Sequence, residues 1–164
     1  MILLTVGTQL PFDRLVTIVD SLAPSLPERV FAQIGHGHYR PEHMDWCPFV
    51  GPIEFERRIE ECSYLISHAG VGTLVMAQKH GKPVILFPRR AALKEHRNDH
   101  QLATVRGLEG RPGVQIAYDK DDLARFIAQP KPTPERQDIL PERDRLRRTV
   151  ADLIGAEHRR LAGS

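Results

Sequence analysis

Tyr64-Leu65-Ile66-Ser67-His68-Ala69-Gly70-Val71-Gly72-Thr73 is the stretch whose reading decides the fold. Tyr64 to Ile66 is a short apolar run, which reads as a buried strand. Two glycines and a threonine then turn the chain, and the pattern from Gly72 to His80 is helical. Gly81 follows in the usual place of a C-cap glycine. A buried strand that passes through a glycine-rich loop into a helix is the repeating unit of a parallel sheet.

The same alternation extends both ways from this unit. Towards the N-terminus, Ile2–Val6 reads as a buried strand ended by Gly7. Over Leu10–Leu22 the apolar residues Phe12, Leu15, Val16, Val19 and Leu22 recur at helical spacing, and Pro24 and Pro27 stop the helix. Val30–Ile34 is a second strand, Gly35–Pro48 is loop-like, a short strand is expected near Phe49-Val50, and Glu54–Cys62 is a charged helix. Towards the C-terminus come a strand over Pro83–Phe87, a helix over Asn98–Gly107, a strand over Val114–Ala117 and a helix over Asp121–Ala128. This order predicts an α/β fold, a Rossmann-like, mostly parallel sheet with helices on both faces. It would occupy residues 1–128. Residues 129–141, with four prolines, read as a linker to a basic amphipathic helix within 142–164. That helix would lie on its own domain, or dock on a partner chain or an anionic membrane surface.

A chain of 164 residues makes one domain, and 41% hydrophobic residues suffice for a core. An enzyme that needs two full domains around a cleft would therefore need a second chain. Twenty-three Lys+Arg against 21 Asp+Glu leave +2, which disfavours nucleic acid binding driven by bulk charge. Cys47 and Cys62 lack CxxC spacing and read as packing residues of a reducing compartment. The opening apolar run is too short for a signal peptide and has no basic n-region, and no stretch approaches the ~18–20 apolar residues of a membrane span. A cytoplasmic protein is expected, with a peripheral role at the inner face of the membrane open to it through a partner.

Ligands of open parallel sheets bind at the carboxyl ends of the strands. There, Gly70-Val71-Gly72-Thr73 offers close backbone approach and the free N–H groups of a helix start, which suits phosphate. It matches neither GxGxxG nor GxxxxGK[ST], and a plain tight turn is the alternative. His68 would hold phosphate or sugar oxygens, or bond within its loop. Gly7-Thr8-Gln9 would close over the same phosphates from the neighbouring strand. The segment Pro88–Gln101 is crowded with hydrogen-bonding groups suited to sugar hydroxyls, among them Glu95, His96, Asn98, His100 and Gln101. Arg89, Arg90 and Lys94 would add attraction for an anion; a solvated charged loop is the alternative. His96 and His100 lie four apart, but no HExxH and no third ligand accompany them, so no metal is expected. No G-x-S-x-G is present, and Cys62 sits at a charged helix end, so nucleophile readings have little support.

Ser67–Thr73, Gly81-Lys82-Pro83-Val84-Ile85-Leu86-Phe87-Pro88-Arg89 and Glu95-His96-Arg97-Asn98-Asp99-His100-Gln101 together resemble the C-terminal, nucleotide-sugar-binding domain of family 28 glycosyltransferases. Thr5-Val6-Gly7-Thr8-Gln9-Leu10-Pro11-Phe12-Asp13-Arg14-Leu15 narrows the resemblance to PssE-type subunits of exopolysaccharide glucuronosyltransferases. These are similar to the soluble subunit of the eukaryotic two-chain N-acetylglucosamine transferase of N-glycan assembly. The resemblance implies the C-terminal half of a GT-B fold, split so that a membrane-anchored partner of the PssD type supplies the acceptor half. It implies a UDP-sugar donor, a lipid-linked saccharide acceptor, and no cofactor or nucleic acid. It assigns Gly70, Gly72 and Thr73 to the pyrophosphate with Gly7 and Thr8 nearby, His100-Gln101 to the donor sugar, and the neighbourhood of Phe49-Val50 to the uracil edge. Many members carry a Glu that binds the ribose where this chain has Met76; either the ribose contact comes from elsewhere, with Glu95 the candidate, or nucleotide affinity is weaker.

Transfer would be inverting, with helix-end N–H groups and His68 stabilising the leaving diphosphate. His68, Glu95 and His96 are thus the candidate catalytic groups. The general base would lie in the partner, with His96 or His36 as fallbacks. Cationic side chains near the sugar favour glucuronate; galactose or N-acetylglucosamine transfer, a non-catalytic nucleotide-sugar-binding module and a single-chain hydrolase or epimerase are the alternatives.

Overall fold

The computed structural model describes residues 1–132; the expected helix within 142–164 and most of the expected linker lie outside the described residues. Six strands, β1 (Ile2–Thr5), β2 (Val30–Gln33), β3 (Asp45–Cys47), β4 (Tyr64–His68), β5 (Val84–Phe87) and β6 (Val114–Ile116), form one sheet in the order β3-β2-β1-β4-β5-β6. Every pairing is parallel. Five helices connect them: α1 (Asp13–Leu22), α2 (Pro52–Glu61), α3 (Val71–Lys79), α4 (His100–Arg106) and α5 (Lys120–Ala128). The chain starts in the middle of the sheet, winds outward to β3, returns to β4 beside β1, and winds outward again to β6. Ile2 consequently faces both Val30 and Tyr64. The loops after β1 and β4 leave in opposite directions, and that switch point is where such a sheet opens a crevice.

Alternate strand residues feed two cores. Ile2, Leu4, Ile66 and Ile85 pack with Leu15, Val16 and Val19 of α1 and Leu123 and Ile127 of α5. Leu3, Leu65, Val84 and Leu86 pack on the other face with Ile59 of α2, Leu74 and Ala77 of α3, and Val105 of α4. Helices thus cover both faces, as the alternation of elements predicts.

Most boundaries shift by one or two residues from the sequence reading, and three of the differences have a clear local reason. α1 begins at Asp13 rather than Leu10, because Pro11 disfavours a helical residue before it. β3 lies at Asp45–Cys47, within the expected loop and not at Phe49-Val50. Pro48, which has no N–H to give, ends it, and Pro52 sits in the first turn of α2. α4 begins at His100 rather than Asn98: the Asn98 side chain accepts from the His100 N–H at 3.1 Å and stays in the loop.

Asp20 is buried on the core side of α1 and accepts from the Tyr39 hydroxyl (2.7 Å) and the Glu42 and His43 N–H groups (3.0 and 2.9 Å). Burial alone would raise its pKa, but these bonds hold the carboxyl below its ordinary value. It fastens the β2–β3 connection to α1. Among the described residues no helix is long and apolar enough to cross a membrane.

Candidate functional site

A cavity of about 660 Å³ opens at the β1/β4 switch point. His68 is its pivot. The ring bonds the Thr5 carbonyl, and Nδ1 lies 3.3 Å from Ser67 Oγ. Glycines flank it on both sides. A Cβ on Gly7 would lie 2.7 Å from His68 Cε1, and one on Gly70 would run into His68 Nε2. Gly7 also has φ +78°, a conformation that side chains disfavour. These two glycines therefore make room for an imidazole. Gly72 alone of the three has open space where its Cβ would be. Burial, reinforced by the Arg89 charge, pulls the His68 pKa down to about 4, so the ring is neutral at physiological pH.

α3 aims its N-terminus at the cavity. Its N-cap is Gly70, with no side-chain cap, and the first intrahelical bond runs from the Leu74 N–H to the Gly70 carbonyl. The N–H groups of Val71, Gly72 and Thr73 have no partner within the helix and face the space that these residues line. Together with the positive end of the helix dipole they make an anion seat.

The opposite wall comes from the β1 and β5 loops. Arg89 also lines the cavity but is only 3% exposed. Its Nη2 donates to the Val6 carbonyl (2.9 Å) and the Leu10 carbonyl (2.7 Å), and its guanidinium lies 4.7 Å from the Phe12 ring centre. Burial lowers its pKa to about 10, with Glu95 opposing, so the charge persists at neutral pH. Gln101 Oε1 accepts from the Arg89 N–H at 3.0 Å, which leads α4 back to the cavity. His96 lines it too.

The structure therefore brings Gly7, Thr8, His68, Gly70, Val71, Gly72, Thr73, Arg89, His96 and Gln101 around one space. Glu95, Asn98 and His100 do not line it. Glu95 is instead the partner of Arg14 in a two-pronged ion pair (2.5 and 2.8 Å), and its Oε2 accepts the Arg90 N–H at 2.9 Å. The carboxylate expected at a ribose is thus spent fastening the β5–α4 loop to α1. Asn98 caps His100, and the His100 carbonyl accepts from the Thr104 hydroxyl. Arg90 reaches away to the Tyr118 carbonyl (2.7 Å), and Lys94 is exposed. His36, the other fallback base, is exposed against the Phe49 ring, outside the cavity lining.

Sequence reasoning missed the residues that join the loops. Buried Gln33 donates to Thr5 Oγ1 (3.3 Å) and accepts the Val50 N–H (3.0 Å), while Thr5 Oγ1 also receives the Gly7 N–H (3.2 Å). A lone glutamine ending the apolar strand Val30-Phe31-Ala32-Gln33 was the available signal. Pro52 and Phe55 of α2 also line the cavity, and nothing in their spacing marks them.

The model of the glycosyltransferase family 28 C-terminal domain matches residues 1–138. This chain belongs to that family. The family 28 domain is similar in fold to the NMR solution structure of ALG13: 17% identity, TM-score 0.58, over 88% of this chain and 93% of that one. It also aligns with the spinosyn forosaminyltransferase SpnP (18% identity, TM-score 0.49, 99% of this chain and 44% of that one). The calicheamicin glycosyltransferase CalG4 aligns at 15% identity and TM-score 0.49, over 93% of this chain and 38% of that one. No curated protein sequence matches the chain. The fold is that of the C-terminal domain of GT-B glycosyltransferases.

Proposed function

We propose that this family 28 domain is the donor-binding half of a two-chain inverting glycosyltransferase that uses a UDP-sugar. The observation that carries the reading is the uncapped N-terminus of α3, set across one cavity from the buried Arg89 cation. Both favour a diphosphate. From that seat the cavity extends along two arms. One is apolar, past Val71 and Met76 to Phe55, Pro52 and Val50, and suits a base. The other is polar, past Gln9 to His96 and Gln101, and suits sugar hydroxyls.

In the reaction, an acceptor hydroxyl attacks the anomeric carbon and the C–O bond to the diphosphate breaks with inversion. Negative charge grows on the leaving oxygens, where the N–H groups of Val71, Gly72 and Thr73 stand ready. The single N–H of the neutral His68 ring goes to the Thr5 carbonyl, so His68 shapes the seat and leaves the donating to the α3 backbone. His96 is the one titratable group in the polar arm suited to take a proton; otherwise the second chain supplies the base.

Support for that second chain comes from the rim. The exposed large hydrophobics among the described residues are Leu10, Phe49, Ile53 and Leu93. All four lie on the strand-to-helix connections or the first turn of α2, on the cavity side of the sheet. An apolar rim on that side alone suits a covering partner. We assign this role to a membrane-anchored, acceptor-binding chain, with a lipid-linked saccharide of exopolysaccharide synthesis as acceptor. Glucuronate is the proposed sugar, with Arg89 as the supporting cation. The test is transfer by this chain co-expressed with its membrane-anchored partner, comparing UDP-glucuronate with UDP-glucose, UDP-galactose and UDP-N-acetylglucosamine. Preference for a neutral sugar overturns glucuronate, and nucleotide binding without turnover leaves a non-catalytic module. The second reading has one observation in its favour, Met76 in place of a ribose-binding carboxylate.

A further inference from the structure

The side chains lining the cavity on the α2 side of the anion seat are Val71 and Met76 of α3, Phe55 and Pro52 of α2, and Val50, with Gln33 and Thr5 behind them already bonded to each other and to the Val50 and Gly7 N–H groups. A nucleoside diphosphate held at α3 with its base in that arm must lay its pentose along Val71, Met76 and Phe55. None of these side chains accepts a hydrogen bond from a hydroxyl, apart from the weak thioether of Met76. No carboxylate lines the cavity among the described residues. The one carboxylate on the β5–α4 loop near its wall, Glu95, is held by both prongs of Arg14 and by the Arg90 N–H. On the base side the Val50 N–H is taken by Gln33.

A site discriminates strongly for a hydroxyl only when it has a buried polar group left unpaired by the analogue that lacks it. Along this wall nothing is left unpaired when the 2′-hydroxyl is removed. The same apolar lining would bury a methyl on the pyrimidine favourably.

Resting on the UDP-sugar reading above, we infer that this cavity does not distinguish ribose from 2′-deoxyribose and accepts thymidine diphosphate sugars as well as uridine diphosphate sugars. The sugar arm, not the nucleoside, then sets donor choice.

The test titrates the full-length chain with UDP, dUDP and dTDP, reading dissociation constants from amide shifts of Gly7, Gly70, Gly72 and Thr73. The expected result is dUDP within about threefold of UDP, and dTDP equal to or tighter than UDP. A loss of about tenfold or more for dUDP, the size of a hydrogen bond to a charged acceptor, overturns the inference while leaving the nucleotide reading intact. If none of the three shifts these amides, the nucleotide reading itself fails and takes the inference with it. Met76→Glu supplies the missing acceptor and should make UDP about tenfold preferred over dUDP. A folded variant that binds UDP without that preference places the pentose elsewhere and also overturns the inference.

Discussion

Gly70→Ala should be costly only because His68 is there. Gly70 is the N-cap of α3 with φ −91° and ψ 135°, an extended backbone that alanine adopts freely. Exchanging glycine for alanine at an N-cap therefore costs about 0.5–1 kcal/mol by itself. The added Cβ, however, would overlap the His68 ring, with Cε1 at 2.9 Å as well as Nε2. The ring cannot turn away freely, since it is mostly buried and bonded to the Thr5 carbonyl. Either it is expelled and loses that bond, or the backbone shifts; overpacking of this kind costs about 1–3 kcal/mol. The sum predicts a loss of about 1.5–4 kcal/mol for Gly70→Ala. In a His68→Ala background the overlap is gone, and only the N-cap term remains. Urea unfolding of the wild type, both single variants and the double variant closes the cycle. A coupling of about 1–3 kcal/mol is expected. A coupling under about 0.5 kcal/mol, the level at which independent sites simply add, would refute the packing of His68 between glycines. Gly72→Ala is the contrast: with open space at its Cβ it should leave stability level or slightly raised, yet weaken UDP by about tenfold or more by crowding the α3 N–H groups.

Acid should destabilise the domain through His68. Its pKa falls from 6.5 to about 4 on folding, so the unfolded chain takes up a proton that the folded chain refuses. The stability held by the neutral ring is intact above pH 6.5 and is lost as pH falls towards 4, by up to about 3 kcal/mol. His68→Asn should flatten that part of a pH–stability curve measured by urea unfolding; an unchanged slope counts against the assignment. Glu95→Gln should cost about 2–4 kcal/mol by stranding Arg14, and Arg14→Met with Glu95→Gln should recover part of it. Equal losses for the single and double variants would mean the pair is not the fastening. Ile53→Asp or Leu93→Asp should leave unfolding within about 0.5 kcal/mol of wild type but abolish co-purification with the partner chain. Retained pairing in both would remove the rim as the interface.

Local periodicity made the layers legible. Strand residues such as Leu3 and Leu4 feed opposite cores, and the 3–4 spacing of Leu15, Val16 and Val19 marks the buried face of α1. The glycine-rich turn before α3 was legible too, because an open helix start needs only a local signal. β3 was not: three residues with one aromatic, Trp46, become a strand only through pairing with Phe31–Gln33. Nor was the fate of the charged loop after β5. Glu95, Arg89 and Arg90 read alike in sequence, as groups available to a ligand. Their partners lie 81, 83 and 28 residues away, at Arg14, the Val6 carbonyl and the Tyr118 carbonyl. No spacing rule reaches that far.

Those distant partners also change the meaning of the glycines and cations in the resemblance. Read locally, Gly7 and Gly70 clear the way for phosphate, and Arg89 waits for an anion. In the fold, Gly7 and Gly70 clear the way for His68, whose neutral ring then completes a seat formed by the backbone of α3. Arg89 holds the Val6 and Leu10 carbonyls and so fastens both ends of the β1 loop beside that seat. What remains facing the cavity is a set of preorganised N–H groups, one buried charge, an apolar arm and a polar arm of Gln9, His96 and Gln101. Such a seat is suited to a diphosphate, which it would hold through backbone N–H groups and the helix dipole. Leu10, Phe49, Ile53 and Leu93 leave an apolar rim on the same side of the sheet, and that rim is what the proposed second chain would cover.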